Sequence, residues 1–571
     1  VSHQGTNGPL NDFLKRITDK TVGISDSFIA EIRSQKFETE EPSRKTEYIV
    51  LSSGLLVPKV VLNNTAPIDL MYRYIPWSKV FGEKMSIDAL RKVVSYFNCD
   101  NTVISAANLA ERTHPNSMDE ELMRTIENDA PELFAQTKDL RAQGFRICSP
   151  QAFLALAKLA IESGSRDQNS PSMPVTLQVS IAMCLQDHFG ETTGPDNSLS
   201  LAMELVANNW LHRRLDPTTE LNRFQERWLS EDPRSISIRK LFVEQVGFDV
   251  ELMCNLGIGL ATMNIDKQEA FFVGIDEAEV LEPIGLISAD AERLREEISL
   301  VPQRKNTVWH FSFFHRFPIY RCLDGRYVVI QNAMLLRRTM GWPLVYDALY
   351  SNPHVNNRAV VSQIEKMAEE VAYEKIYGTL NKAWPGRVVS EKTLMEVFGG
   401  IGVQTADLAV EFADAWLVIE ISARRASYKA LDALDEKDYN DLVEQIAEEA
   451  AQAVATSKNL VSHSQNPSER FRFIVPTSKM YPLVILTEGF PVNPFLVRDV
   501  RNRVEQLVSG PISGVVPVEI VDAKEMDDLL WLSQTHGISI IQILEEKTLS
   551  NFWSDSMNNF LWVHYREQLL A

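Results

Sequence analysis

From about residue 88 to residue 265, apolar side chains recur every three or four positions, the period of helices with one buried face. The stretch 151–162 is the clearest case. Phe153, Leu154, Leu156, Ala157 and Ala160 line one side, and Ser149-Pro150 supplies an N-cap and a first-turn proline. Ser117-Met118-Asp119-Glu120 reads as a capping box opening another helix. Further helices are predicted over 199–210 and 238–246, with a loop over 164–174. Ahead of this region, 1–45 is polar, and 46–90 holds β-like runs at 48–51 and 57–62. After it the period changes. The runs 317–322 and 327–331 flank Leu323-Asp324-Gly325-Arg326, and Asp-Gly between such runs signals a hairpin. A long helix is predicted over 359–380, then a compact α/β pattern to about 490. At the C-terminal end, 518–521 is a strand, Asp522 with Glu525 caps a helix running to Thr535, and 539–546 is a short helix. No fixed-period repeat interrupts this order. The patterns predict an α/β multidomain protein: 1–87 a polar segment with a small β region, 88–265 mainly helical, 266–358 a mixed connection, 359–490 a compact α/β domain, and 491–571 an α/β extension.

The segment from Thr405 to Ser422 carries the chemistry. Read as two strands with a tight turn at Ala413-Asp414, its period of two puts Leu408, Val410, Phe412, Leu417, Ile419 and Ile421 on one apolar face. Asp407, Ala409, Glu411, Trp416, Val418, Glu420 and Ser422 share the other face. If Phe412 pairs with Ala415, Asp407 falls opposite Glu420, with Cβ atoms about 4.5–5.5 Å apart. Two carboxylates so placed repel each other, and a divalent cation such as Mg²⁺, held by one or two carboxylates plus water and phosphate, is the natural compensator. The other reading is two exposed acids at strand ends. Flanking elements favour the cation. On the helix 359–380, Ile364, Met367, Ala368, Val371 and Ile376 form the apolar face, and Glu370 and Glu374 sit one turn apart at its edge. A flexible Phe398-Gly399-Gly400-Ile401-Gly402 leads towards Asp407. Downstream, a helix over 438–457 turns Leu442, Val443, Ile446, Ala450 and Val454 inward, and 471–475 and 483–486 are strand candidates.

Helix, acid-bearing hairpin, helix, strand: over about residues 360–490 the chain resembles the PD-(D/E)XK superfamily, the restriction-endonuclease-like fold. The resemblance implies a mostly helical N-terminal region followed by a restriction-endonuclease-like domain with a mixed central sheet. Glu370 or Glu374 matches the family's helix acid, Asp407 its strand Asp, and Glu420-Ile421-Ser422 the Glu-x-Lys motif, with Ser422 in place of the lysine. By this resemblance the protein is a Mg²⁺- or Mn²⁺-dependent nuclease acting on DNA or RNA. Asp407 and Glu420 would hold the metal, Glu370 or Glu374 would support it, and a displaced lysine would activate the attacking water. Lys429 and Lys392 are the candidates; Arg424 and Arg425 are near but do not exchange protons usefully. Many similar proteins belong to bacterial genome-defence systems, which implies an antiviral setting and a protein partner. Because serine carries no charge, the alternative is a lapsed nuclease fold serving as a binding or scaffold subunit.

Charge sharpens this. The chain has 57 basic and 77 acidic residues, a formal −20, so bulk charge does not draw it to nucleic acid or an anionic membrane. Residues 361–460 hold 18 acidic and 10 basic residues, so the nuclease-like module shares the acidity. The five cysteines are scattered with no C-x-x-C pair, which predicts buried thiols rather than a zinc knuckle or disulfide framework. No apolar run reaches the ~20 residues of a membrane helix, and the polar start is unlike a signal peptide, so a cytoplasmic protein is expected. Other motifs fall away. Leu256-Gly257-Ile258-Gly259 lacks the third glycine and preceding strand of a dinucleotide loop, and reads as a packing spot. His310 and His315, five apart, read as packed, His188 as a helix-surface residue, and the pairs Arg213-Arg214, Arg337-Arg338 and Arg424-Arg425 as solvated.

Overall fold

The computed structural model describes residues 73–188, 227–350, 357–423, 436–465 and 478–570, less short stretches inside these spans, together with the strands at 48–50 and 56–58 and residue 224. It is a mostly helical α/β protein. The helices 199–210, the strand candidate 471–475, the glycine-rich 399–402, Arg213, Arg214, Arg424, Arg425 and Lys429 lie outside the described residues.

In the N-terminal half, α1 (Cys99–Arg112), α2 (Pro150–Ser163) and α3 (Val175–Gln186) form the centre. The Ser149 hydroxyl accepts from the Ala152 N–H at 3.1 Å, and Pro150 opens α2. Every residue of α2 from Pro150 to Ile161 is buried, so it is a central helix rather than one with a single apolar face. Further on come α4 (Pro233–Val246), α5 (Val250–Lys267), and the hairpin of β1 (Ile319–Arg321) and β2 (Tyr327–Val329). Gly325 turns the hairpin with φ +85°. Asp100 of α1 accepts from the Tyr320 hydroxyl at 2.6 Å and the Leu323 N–H at 2.8 Å, which ties the hairpin to the helical core. Trp309, Phe311, Phe313 and Phe314 join that same core. Gly257 lies within α5, where an added Cβ would meet the Thr339 hydroxyl of α6 (Asn332–Met340) at 1.9 Å. It is a packing position, as the sequence indicated. Two expectations are corrected. His188 is buried, with Nε2 2.7 Å from the Met85 carbonyl. Arg338 is buried and paired with Asp347 at 2.6 Å rather than solvated. The five cysteines are buried and free. Among the described residues no helix is long and apolar enough to cross a membrane.

The C-terminal half is built on one sheet. After α7 (Asn357–Ala383) come β3 (Val388–Ser390), α8 (Glu391–Phe398), β4 (Leu408–Glu411), β5 (Ala415–Ser422), α9 (Glu436–Gln465), β6 (Lys479–Leu486), α10 (Pro494–Leu507), β7 (Glu519–Asp522), α11 (Ala523–His536) and α12 (Ile540–Leu549). The strand order is β7-β6-β5-β4-β3. The β3–β4 and β4–β5 pairs are antiparallel, and β5–β6 and β6–β7 are parallel. Strands in a parallel arrangement are covered on both faces and read as apolar runs. Accordingly, all eight residues of β5 are buried, Glu420 among them. The sequence implied one apolar face; the structure covers both. Ile376 and Leu380 of α7, Leu529 of α11, and Ile540 and Ile543 of α12 pack on Leu408, Val410, Leu417, Ile419 and Ile421. Across the sheet, Leu394 of α8 and Ala453 and Leu460 of α9 pack on Ala409, Trp416 and Val418. The boundary expected at 490 falls inside this unit, because β7 supplies its fifth strand. Glu519 of β7 accepts from Lys547 of α12 at 2.7 Å and Arg501 of α10 at 3.2 Å, all three buried. This triad pins the C-terminal helices to the sheet.

Candidate functional site

The β4–β5 hairpin turns through Ala413 and Asp414, with the Phe412 N–H donating to the Ala415 carbonyl at 2.8 Å. Leu408 then pairs with Ile419, Ala409 with Val418, Val410 with Leu417 and Glu411 with Trp416. One step further, Asp407 falls opposite Glu420, the register the sequence predicts. β4 starts only at Leu408, so the Ile421 N–H has no ladder carbonyl there. The Asp407 carboxylate takes its place, accepting from Ile421 N at 2.7 Å. Asp407 is thereby fixed at the mouth of the sheet by a backbone need, which orients its second oxygen.

Glu420 is the charged residue in an otherwise apolar strand, and it is 6% exposed. Its Oε2 is buried with no hydrogen-bond partner among the described residues. Burial holds its carboxyl far above the usual range, and the neighbouring Asp407 and Glu449 charges push it the same way. Burial also raises Asp407 to about 7; the Ile421 N–H opposes this, and Glu391, Glu369 and Glu449 add to it. Glu449 of α9 hydrogen-bonds to Glu420. Burial and these neighbouring acids favour the neutral form of Glu420, since a bare buried carboxylate costs several kcal/mol. Beside burial and the Ile421 N–H, the largest influences on the pair come from acids. Tyr373 of α7 borders the cluster: burial raises its phenol pKa, and Tyr377, Asp407 and Glu391 reinforce the effect.

Of the two α7 acids expected to support the pair, Glu370 is paired with Arg234 of α4, its Oε2 2.6 Å from the guanidinium, and Glu374 is exposed. The acid of α7 acting on Asp407 is Glu369, one residue and about 100° of helix rotation from Glu370. Ser422 is buried beyond Glu420, and its carbonyl accepts from Thr487 N at 2.9 Å. Lys392, one of the two candidate lysines, is an exposed residue of α8. Sequence reasoning missed Glu369, Glu391 and Glu449. For Glu449 a signal existed: it continues the inward series Leu442, Ile446, Ala453 of α9, where an acid is out of place.

The donors are all carboxylate oxygens, hard ligands of the kind Mg²⁺ and Mn²⁺ prefer. Among the described residues no group of three or more His, Cys, Asp and Glu side chains is arranged to hold a metal. What the fold brings together is the Asp407–Glu420 pair, with Glu449, Glu391 and Glu369 around it. No protein-family model matches the chain, and no curated protein and no solved structure matches it.

Proposed function

We propose that the chain is a Mg²⁺- or Mn²⁺-dependent nuclease hydrolysing phosphodiester bonds of DNA or RNA at the Asp407–Glu420 pair. One observation carries the reading: a nearly fully buried carboxylate oxygen, Glu420 Oε2, with no hydrogen-bond partner among the described residues, in a strand otherwise apolar and faced by acids. Burying that carboxylate in its charged form is unfavourable, and either a proton or a bound cation would relieve it. The order of elements also favours it: helix, antiparallel hairpin bearing the acids, helix, parallel strand, in a mixed sheet. That is the order expected of a restriction-endonuclease-like domain.

Asp407 and Glu420 would hold the ion, with the remaining positions taken by water and substrate phosphate, as is common for Mg²⁺. A bound ion polarises the phosphoryl group and lowers the pKa of its water. The chain's own residues prepare for this. The Ile421 N–H fixes Asp407, and the buried strand fixes Glu420, which Glu449 contacts by a hydrogen bond. Glu369 and Glu391 make the local field negative, which would favour a cation there. The implied setting is genome defence beside a protein partner.

Ser422 favours a second reading, a nuclease fold kept for binding, because no charge stands where the resemblance places a lysine. An activity assay separates the two. Purified protein with Mn²⁺ is expected to degrade DNA or RNA, and Asp407→Asn and Glu420→Gln to abolish this. Cleavage that survives both substitutions contradicts the assignment; stable cation binding without any cleavage favours the binding reading.

A further inference from the structure

Beside the acid pair, α7 presents one outward stripe of aromatic and cationic residues. At 3.6 residues per turn, Lys366, Glu369, Tyr373 and Tyr377 fall within a stripe about 80° wide and about 16 Å long. Tyr373 and Tyr377 are half-buried at their bases, and their rings lie parallel, 5.9 Å apart and 5° from coplanar orientation. Past the end of α7 the line continues with Trp384, which meets Phe412 at the hairpin turn with centroids 5.3 Å apart. Each of these four rings packs one side on the core and leaves the rest accessible. The stripe runs beside β3, the edge strand of the sheet, whose three residues are all half-buried. Exposed cations stand along it: Lys366 on α7, Arg387 just before β3, and Lys392 just after it. None of the three is held in an ion pair among the described residues. Within the stripe, between Lys366 and Tyr373, Glu369 together with Asp407 and Glu391 marks the candidate cation site.

Half-buried rings along one edge, flanked by exposed cations, are suited to unpaired bases and the backbone between them. A duplex hides its base faces and has no use for such rings. We infer that the α7–β3 edge is a track for single-stranded nucleic acid, with Tyr373 and Tyr377 stacking on bases and Lys366, Arg387 and Lys392 on phosphates, feeding the Asp407–Glu420 site. The inference rests on the nuclease reading and narrows it to a single-stranded substrate. Because the site itself is acidic, the strand binds well only with a divalent cation present.

The test is fluorescence anisotropy on the full chain in Ca²⁺, with a labelled oligothymidylate of about 20 nucleotides, longer than a footprint of ~4–16. The same sequence as a duplex, and the uridylate, are the comparisons. The single strand is expected to bind at least tenfold tighter than the duplex. Tyr377→Ala weakens it about tenfold, as one lost stacking contact does, while Tyr377→Phe stays within about twofold. Lys366→Glu, an exposed change that leaves the core untouched, weakens binding and flattens the salt dependence by about 0.7 in log–log slope. Equal affinity for duplex, or no loss in both Tyr377→Ala and Lys366→Glu, overturns the track. Cleavage of either substrate lost in Asp407→Asn alongside such a result leaves the nuclease reading standing while the track fails. Tyrosine-dependent strand binding without any cleavage keeps the track and removes the nuclease.

Discussion

Two glutamates in the same sheet are equally buried and oppositely served. Glu519 on β7 and Glu420 on β5 are each 6% exposed. Glu519 meets Lys547 at 2.7 Å and Arg501 at 3.2 Å, so its charge is matched inside the protein. Glu420 meets Asp407, Glu449 and Glu391, and one of its oxygens has no hydrogen-bond partner among the described residues. Burial alone therefore says little about role. The company a buried acid keeps separates a structural pin, its charge matched inside the protein, from the acid-faced Glu420 proposed to hold a cation.

The comparison predicts opposite responses to removing the charge. Glu519→Gln leaves Arg501 and Lys547 buried against a neutral partner, and should destabilise the fold by about 3–5 kcal/mol in chemical denaturation. A loss below about 1 kcal/mol would make the triad dispensable. On the other side, Asp407→Asn should lower Mn²⁺-dependent cleavage at least about a hundredfold, equivalent to ~2.7 kcal/mol of barrier, without lowering the melting temperature. Proton competition gives the next effect. Asp407 titrates about 7 and Glu420 higher, both raised, so the metal-free native state binds protons that the unfolded chain has already released above its ordinary carboxylate range. That contribution to stability falls as pH rises from about 4 through 7, and cation affinity rises over the same window because the ion displaces those protons. Calorimetric titration of Mn²⁺ should show binding weaker by roughly tenfold per pH unit just above about 7, where Glu420 alone is protonated, and by up to about a hundredfold per unit below it, where both acids are; a flat profile contradicts it. Glu420→Gln should therefore stabilise the cation-free protein at pH 8 by about 1–2 kcal/mol, where Glu519→Gln does the reverse. Smallest is Glu370→Gln. Its partly exposed pair with Arg234 is worth at most about 1 kcal/mol, and cleavage should not change.

The hairpin register was legible because it is local. The alternation of apolar residues and the short Ala413-Asp414 turn fix which residues face each other, and Glu420 stands out as a charge inside Ala-Trp-Leu-Val-Ile-Glu-Ile. The helix caps at Ser149 and Asp522 were legible for the same reason; both are observed, the latter with Glu525 in a full capping box. The supporting acid was not. Choosing between Glu369, Glu370 and Glu374 requires the rotation of α7 about its axis, which is set by packing on α4 and on the sheet rather than by neighbouring residues. Glu391 and Glu449 reach the site from α8 and α9, brought there by strand order. β7 was recognisable as a strand at 519–522, but not as part of this sheet, because the α10 crossover that places it parallel to β6 is long. His188 and Arg338 were misplaced for a related reason: their partners, Met85 and Asp347, are joined to them by tertiary packing.

The central claim is that Asp407 and Glu420 form a divalent-cation site. Its most direct test is Mn²⁺ binding followed by electron paramagnetic resonance at pH 8, on the intact chain and on Glu420→Gln and Asp407→Asn variants that melt like the parent. The account predicts one tightly held ion per chain, lost in both variants. No tightly held ion in the parent, or an ion retained undiminished in both variants, contradicts it.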